Sequence, residues 1–172
     1  MNELCKQALI WHRLGYSVIP IEKRGKRPLV KWSNYVDNRA TISQIVQWFK
    51  NDINIAVLCG GANKLVVVDF DTQHGYYSAM SRLDNDMTEL ISNTYKVKTG
   101  RGIHLFFNGV ESKTRKNVEE KIDVKGIGGY VLVPPSVHPS GRAYRRLNGK
   151  TQQDIVSLSI EQLYTIANIG EE

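Results

Sequence analysis

The run Leu65-Val66-Val67-Val68-Asp69-Phe70-Asp71 constrains this chain more than any other segment. Its apolar residues do not alternate with polar ones, so Leu65–Phe70 reads as a fully buried strand. Along a strand, residues i and i+2 share a face, so Asp69 and Asp71 project together from its end. Two like charges that close raise each other's pKa unless something positive joins them, and a hard divalent cation with oxygen ligands is the usual solution. The bland alternative is a turn in which Asp71-Thr72 starts a helix while Asp69 is solvated.

Around that strand the chain alternates helix and strand signals. Leu4, Ala8, Trp11 and Leu14 fall at helical spacing, and Gly15 stands where a glycine ends a helix. A strand is expected over Tyr16–Ile21. Thr41-Ile42-Ser43-Gln44 fits a capping box opening a short helix to Lys50, followed by a strand Ile55–Cys59. The residues around Tyr76–Ser92 are expected to be helical, with boundaries left open by His74-Gly75 and Asn85. From Thr94 the pattern changes to short strands between glycine-bearing turns: Tyr95–Lys98, Ile103–Phe107, Ile122–Val124, Tyr130–Val133 and Ala143–Arg146. Ser159-Ile160-Glu161-Gln162 offers a second capping box for a closing helix. This order is α+β rather than strict βαβ winding. It suits a single domain over 1–172, with an αβ portion over about 1–93 and a β portion with its closing helix over 94–172.

The 172 residues carry 23 Lys+Arg against 17 Asp+Glu, a net charge of +6 that favours a polyanionic partner such as nucleic acid or a nucleotide. With 41% apolar and 23% charged residues, a wholly disordered chain is excluded. The longest apolar runs fall far short of the roughly 18 residues a membrane helix needs, and the start lacks a signal peptide's order. A soluble, cytoplasmic protein without a membrane partner is the expectation. Cys5 and Cys59 have no CxxC partner and no nearby His at ligand spacing, so neither a disulfide framework nor a zinc site is expected.

Three further features carry possible chemistry. Asp123 sits alone in the apolar strand Ile122-Asp123-Val124, and with Asp69 and Asp71 it makes three carboxylates able to hold two Mg²⁺ or Mn²⁺. By itself it reads first as a cross-strand ion-pair partner of Lys125 or a neighbour. In Thr99-Gly100-Arg101-Gly102-Ile103-His104, the glycines let main-chain N–H groups converge on an anion, and His104 shares a strand face with Phe106. Val133-Pro134-Pro135-Ser136-Val137-His138 places Ser136 and His138 on a rigid exit from a strand. A Ser/His hydrolase is excluded because no GxSxG elbow is present. The basic loop Lys23-Arg24-Gly25-Lys26-Arg27 and the cluster Lys113, Arg115, Lys116 suit nucleic-acid phosphates, or are simply solvated faces. Tyr130, Tyr144 and Trp32 suit base stacking or a core.

Taken together, these motifs resemble the N-terminal catalytic domain of bifunctional primase-polymerases, members of the archaeo-eukaryotic primase superfamily found on plasmids, phages and other mobile elements. The resemblance spans about residues 5–146. It rests on Ala8…Trp11…Gly15…Val18-Ile19-Pro20, Gly25-Lys26…Pro28…Trp32, Asn54-Ile55-Ala56-Val57 with Gly60, Val67–Asp71, Thr99–Phe107 and Asp123-Val124-Lys125-Gly126…Gly129-Tyr130-Val131…Pro134-Pro135-Ser136, in that order.

The resemblance implies an αβ module packed on an RRM-like antiparallel sheet module, with the active site in the cleft between them. It implies that Asp69, Asp71 and Asp123 are catalytic metal ligands and that His104 contacts the phosphates of an incoming nucleotide. Arg101, Gly100, Gly102 and Lys98 would join the triphosphate site, with Ser136 and His138 lining the same cleft. The implied partners are a DNA template and primer, dNTP or NTP, and a replicative helicase or helical primase module. Extension of an existing primer is expected rather than autonomous initiation, because extension needs only the cleft. A metal-dependent nuclease using the same aspartates and a non-catalytic nucleic-acid-binding module are the alternatives.

Overall fold

Asn2 opens the first helix by accepting the Cys5 N–H on its side chain at 2.8 Å. Helix α1 (Glu3–Arg13) buries Leu4, Cys5, Ala8 and Trp11, and it ends at Gly15, whose φ of +97° is the left-handed conformation expected after a C-cap. Both expected capping boxes form. Thr41 and Gln44 open α2 (Ile42–Phe49), and Ser159 and Gln162 open α5 (Ile160–Ala167), each with reciprocal side-chain and backbone bonds. The computed structural model describes residues 1–170.

The first strands are β1 (Val18–Ile21), β2 (Asn54–Leu58) and β3 (Val66–Phe70). The helical segment expected around Tyr76–Ser92 forms as two helices, α3 (Gln73–Arg82) and α4 (Asn85–Asn93). Leu83 is extended between them, and Asp84 caps α4 by accepting the Met87 N–H at 2.9 Å. A short carboxylate that can bond the backbone ahead of it favours a new helix start over continuation. The later strands are β4 (Lys96–Lys98), β5 (Ile103–Asn108), β6 (Arg115–Asn117), β7 (Ile122–Lys125), β8 (Tyr130–Leu132), β9 (Arg145–Arg146) and β10 (Val156–Ser157).

These strands form two sheets. The smaller has the order β1-β2-β8, and the larger runs β6-β7-β3-β5-β4-β9, with β10 joining β5. Every pairing is antiparallel except β10 on β5. The mixed α+β class with antiparallel sheets is therefore as read. The expected division near residue 93 does not follow the sheets. Strand β3 lies before that point yet is central to the larger sheet, and β8 lies after it yet pairs with β2 in the smaller one.

Strand β3 is buried on both faces, as its uninterrupted apolar run requires. Val66, Val68 and Phe70 pack with Leu105, Phe107 and Val124 into a core shared with α3, α4 and α5. Val67, on the opposite face, joins Phe106, Val97 and Trp11 in a second core with α1, α2 and the smaller sheet. That second face is only partly covered, and its open part holds the acids.

Candidate active site

The register of the larger sheet sets Asp123 of β7 opposite Asp69 of β3, and Asp69 opposite His104 of β5. Directly paired residues in an antiparallel sheet share a face, so all three side chains stand in one transverse row. Asp71, two residues beyond Asp69, joins them from the end of β3. One carboxylate oxygen from each of Asp69, Asp71 and Asp123 lies within 4.8 Å of the other two.

Three carboxylates at that spacing repel unless compensated. His104 Nε2 lies 3.3 Å from Asp69 Oδ1, and Lys125 Nζ lies 3.3 Å from Asp123 Oδ2. Burial pushes the Asp69 carboxyl up, but the charge and hydrogen bond of His104, with Lys125 and Lys26, outweigh it and hold the group below its ordinary value. Asp71 has no such ion-pair partner among the described residues. Burial first, then Asp69 and Asp123, raise it, against weaker pulls from Lys125 and Arg101. The cluster thus remains short of positive charge at Asp71, and an all-oxygen donor set of this kind fits a hard divalent cation.

Strands β4 and β5 are joined by the tight turn Thr99–Gly102, in which the Thr99 N–H donates to the Gly102 carbonyl at 3.0 Å. A Cβ on Gly102 would fall 1.8 Å from the Phe70 carbonyl oxygen, so only glycine lets the turn cross the end of β3 this closely. A Cβ on Gly100 would fall 2.5 Å from the His138 ring. Arg142 donates to the Gly100 carbonyl at 3.1 Å and ties the turn to the segment after β8. The turn carries Arg101 over a cleft of about 590 Å³ whose walls also include Lys26, Asp69, Asp71, His104 and His138. The His138 imidazole is held below its ordinary pKa by burial and by Lys26, Arg101 and Arg142, so cations gather at this end of the cleft.

The structure brings some of the expected residues together and sets others apart. Ser136 is fully buried, with its hydroxyl accepting the Ile55 N–H at 2.8 Å and donating to the Ile55 carbonyl at 3.0 Å. It fastens the chain after β8 to β2 and does not line the cleft. Lys98 pairs with Ile103, which places it on the sheet face opposite His104. The Gly102 N–H already donates to the Thr99 hydroxyl at 3.1 Å and is not turned to a ligand. Arg115 donates to the Gly170 carbonyl at 3.0 Å and covers the Tyr164 ring, a structural role at the far edge of the sheet.

The remaining basic residues fall at different distances from the acids. Of the loop after β1, Lys26 reaches the cleft, while Lys23 pairs with Asp52 at 2.7 Å and Arg27 with Glu22 at 3.3 Å. Arg24 lies beside Gly141 and does not line the cleft. Lys116 is exposed on β6 opposite Asp123, extending the row of site residues, and Lys113 is exposed beside the loop at Ile127. The Asp123–Lys125 ion pair read from the sequence forms, but sequence reasoning missed that Lys125 also lines the cleft, and it missed the anchoring role of Arg142. The strand parity of Asp123 and Lys125 was the available signal for the first.

No helix among the described residues is long and apolar enough to cross a membrane. No curated protein matches the chain. The sequence model of the family described as bifunctional DNA primase/polymerase, N-terminal, matches residues 8–163.

Proposed function

The chain belongs to the bifunctional DNA primase/polymerase N-terminal family, and from that premise we propose that it is a template-directed nucleotidyltransferase that joins nucleoside triphosphates to a 3′-hydroxyl on DNA. The observation that carries this reading is the placement of the acid cluster and of Arg101, Lys26 and His138 on one cleft. Polymerisation needs both a site for the reacting hydroxyl and a site for a polyphosphate, whereas phosphodiester hydrolysis needs no triphosphate site.

In this reading Asp69, Asp71 and Asp123 hold one or two divalent cations. Mg²⁺ or Mn²⁺ bound there would lower the pKa of the attacking hydroxyl and neutralise charge on the departing pyrophosphate. Arg101 and Lys26 bind the triphosphate tail, with His138 beside them as a hydrogen-bonding group. His104 keeps Asp69 ionised and oriented. No side chain forms a covalent bond, because the 3′-hydroxyl itself attacks the α-phosphorus. DNA template and primer are the macromolecular partners, with Lys116 and Lys113 along the outer rim for their phosphates. A helicase or helical primase module belongs to the same proposal as a partner of the whole protein.

The test is extension of a labelled primer on a DNA template with dNTPs or NTPs, in Mg²⁺ and in Mn²⁺, comparing the wild type with the Asp69→Asn/Asp71→Asn double variant. Template-dependent growth that the double variant loses is the expected result. Metal-dependent shortening of the primer would replace this reading with a nuclease, and DNA binding without either reaction would replace it with a binding module.

A further inference from the structure

Beside its charged groups the cleft has an apolar stretch made by Ile127, Tyr130 and Leu132. Ile127 stands out within it. It is 51% exposed, although it sits in the tight turn Gly126-Ile127-Gly128-Gly129 beside the charged groups of the site.

The turn is held rigidly from several sides. The Ile127 N–H donates to the Ser112 carbonyl at 2.8 Å, the Gly129 N–H to the Gly126 carbonyl at 2.9 Å, and the Cys59 N–H to the Gly129 carbonyl at 3.0 Å. A Cβ on Gly126 would fall 1.9 Å from the Ser112 carbonyl oxygen, so the backbone is as close to its neighbour as glycine permits. The Tyr130 ring is fixed as well, with its hydroxyl donating to the Lys26 carbonyl at 2.9 Å and Trp32 packed against it at 6.1 Å. A rigid apolar surface in water carries a hydration cost that a flat, apolar ligand face would relieve.

We propose that Ile127, with the Tyr130 ring, forms the contact surface for the base of the incoming nucleoside triphosphate and sets how tightly the base is held. This rests on the polymerase reading, in which Arg101, Lys26 and His138 take the phosphates and the exposed apolar stretch of the same cleft is left for the planar base. The cleft of about 590 Å³ is within the range of small-molecule pockets and suits a single nucleotide.

The test compares binding of dATP and of inorganic tripolyphosphate, each in Mg²⁺ without DNA, by the wild type, Ile127→Ser and Ile127→Val. Tripolyphosphate carries the charge without the base. Ile127→Ser is expected to weaken dATP by about fivefold, from the apolar area it no longer covers, and to leave tripolyphosphate unchanged. Ile127→Val, which keeps a branched apolar side chain, is expected to restore dATP binding to within twofold of the wild type. A circular dichroism melt of each variant verifies that the turn remains folded.

Unchanged dATP affinity in Ile127→Ser overturns the proposal. If primer–template affinity falls instead, the wall serves the template strand; if neither changes, it is not a binding surface. Equal weakening of dATP and tripolyphosphate also overturns it, since the base would then contribute nothing. Failure of the wild type to extend primers, with the difference between the two ligands intact, would remove the polymerase reading and leave a nucleotide-binding wall.

Discussion

Asp69 and His104 face each other across β3 and β5 with Nε2 3.3 Å from Oδ1, while the Nδ1 of the same imidazole is buried without a hydrogen-bond partner among the described residues. The ring therefore directs its polar capacity to one carboxylate. A partner that orients a metal ligand and sustains its charge contributes to metal affinity without touching the ion.

His104→Ala is accordingly expected to weaken Mn²⁺ binding by about 10–100-fold and to move the pH at which the ion binds upward, because Asp69 loses the group that holds its pKa down. Calorimetric titration of Mn²⁺ at several pH values measures both. A change in nucleotide affinity with no change in metal affinity would show that His104 acts on phosphate and not through Asp69.

Asp71 supplies a pH-dependent prediction for the metal-free protein. Burial, Asp69 and Asp123 raise its carboxyl above the ordinary 3.8, so the folded state binds this proton more tightly than the unfolded chain does. Ionising Asp71 costs stability as pH rises through the raised titration, and the cost is absent below 3.8. In EDTA at neutral pH, Asp71→Asn should melt at a higher temperature than the wild type, with the difference vanishing as the pH falls toward 3.8. Added Mg²⁺ should reverse the order by stabilising only the wild type. Identical melting temperatures in EDTA at neutral pH would sink the repulsion argument.

Ser136→Ala separates a structural role from a ligand-binding one. Removing the hydroxyl leaves the buried Ile55 N–H without its acceptor, which is expected to cost about 1–3 kcal/mol of stability in a urea titration. The KM for nucleotide should remain unchanged. A raised KM with unaltered stability would place Ser136 at the ligand after all.

The two glycines of the turn before β5 should respond differently to alanine. At Gly102 the added carbon meets the Phe70 backbone oxygen at 1.8 Å, which cannot move without disturbing β3. A loss of about 1–3 kcal/mol, together with reduced metal affinity, is expected. At Gly100 the nearest atoms belong to the His138 ring, whose side chain can rotate away, so the melting temperature should change less while KM for nucleotide rises. Equal destabilisation by both would show that His138 is as fixed as the backbone.

Local sequence rules were sufficient wherever the determining contact lies within a few residues. The capping boxes at Thr41 and Ser159 and the glycine after α1 are of this kind. So is the shared face of Asp69 and Asp71, which follows from the period of a strand. The break at Leu83 was written in Asp84, a capping residue that an apolar-periodicity reading passes over.

What the tertiary structure alone decided is which strands pair and in which register. Asp123 meets Asp69 only because β7 lies beside β3 without a one-residue slip, which would have sent its carboxylate to the helix-covered face. Lys98 and Ser136 show the same dependence in reverse: each is near site residues in the chain, yet pairing turns Lys98 to the other face and burial takes Ser136 to Ile55. The sequence by itself determined the α+β elements and the residue types able to hold a divalent cation and a phosphate. It could not determine their convergence, because strand pairing joins residues tens of positions apart through backbone bonds that carry no side-chain label.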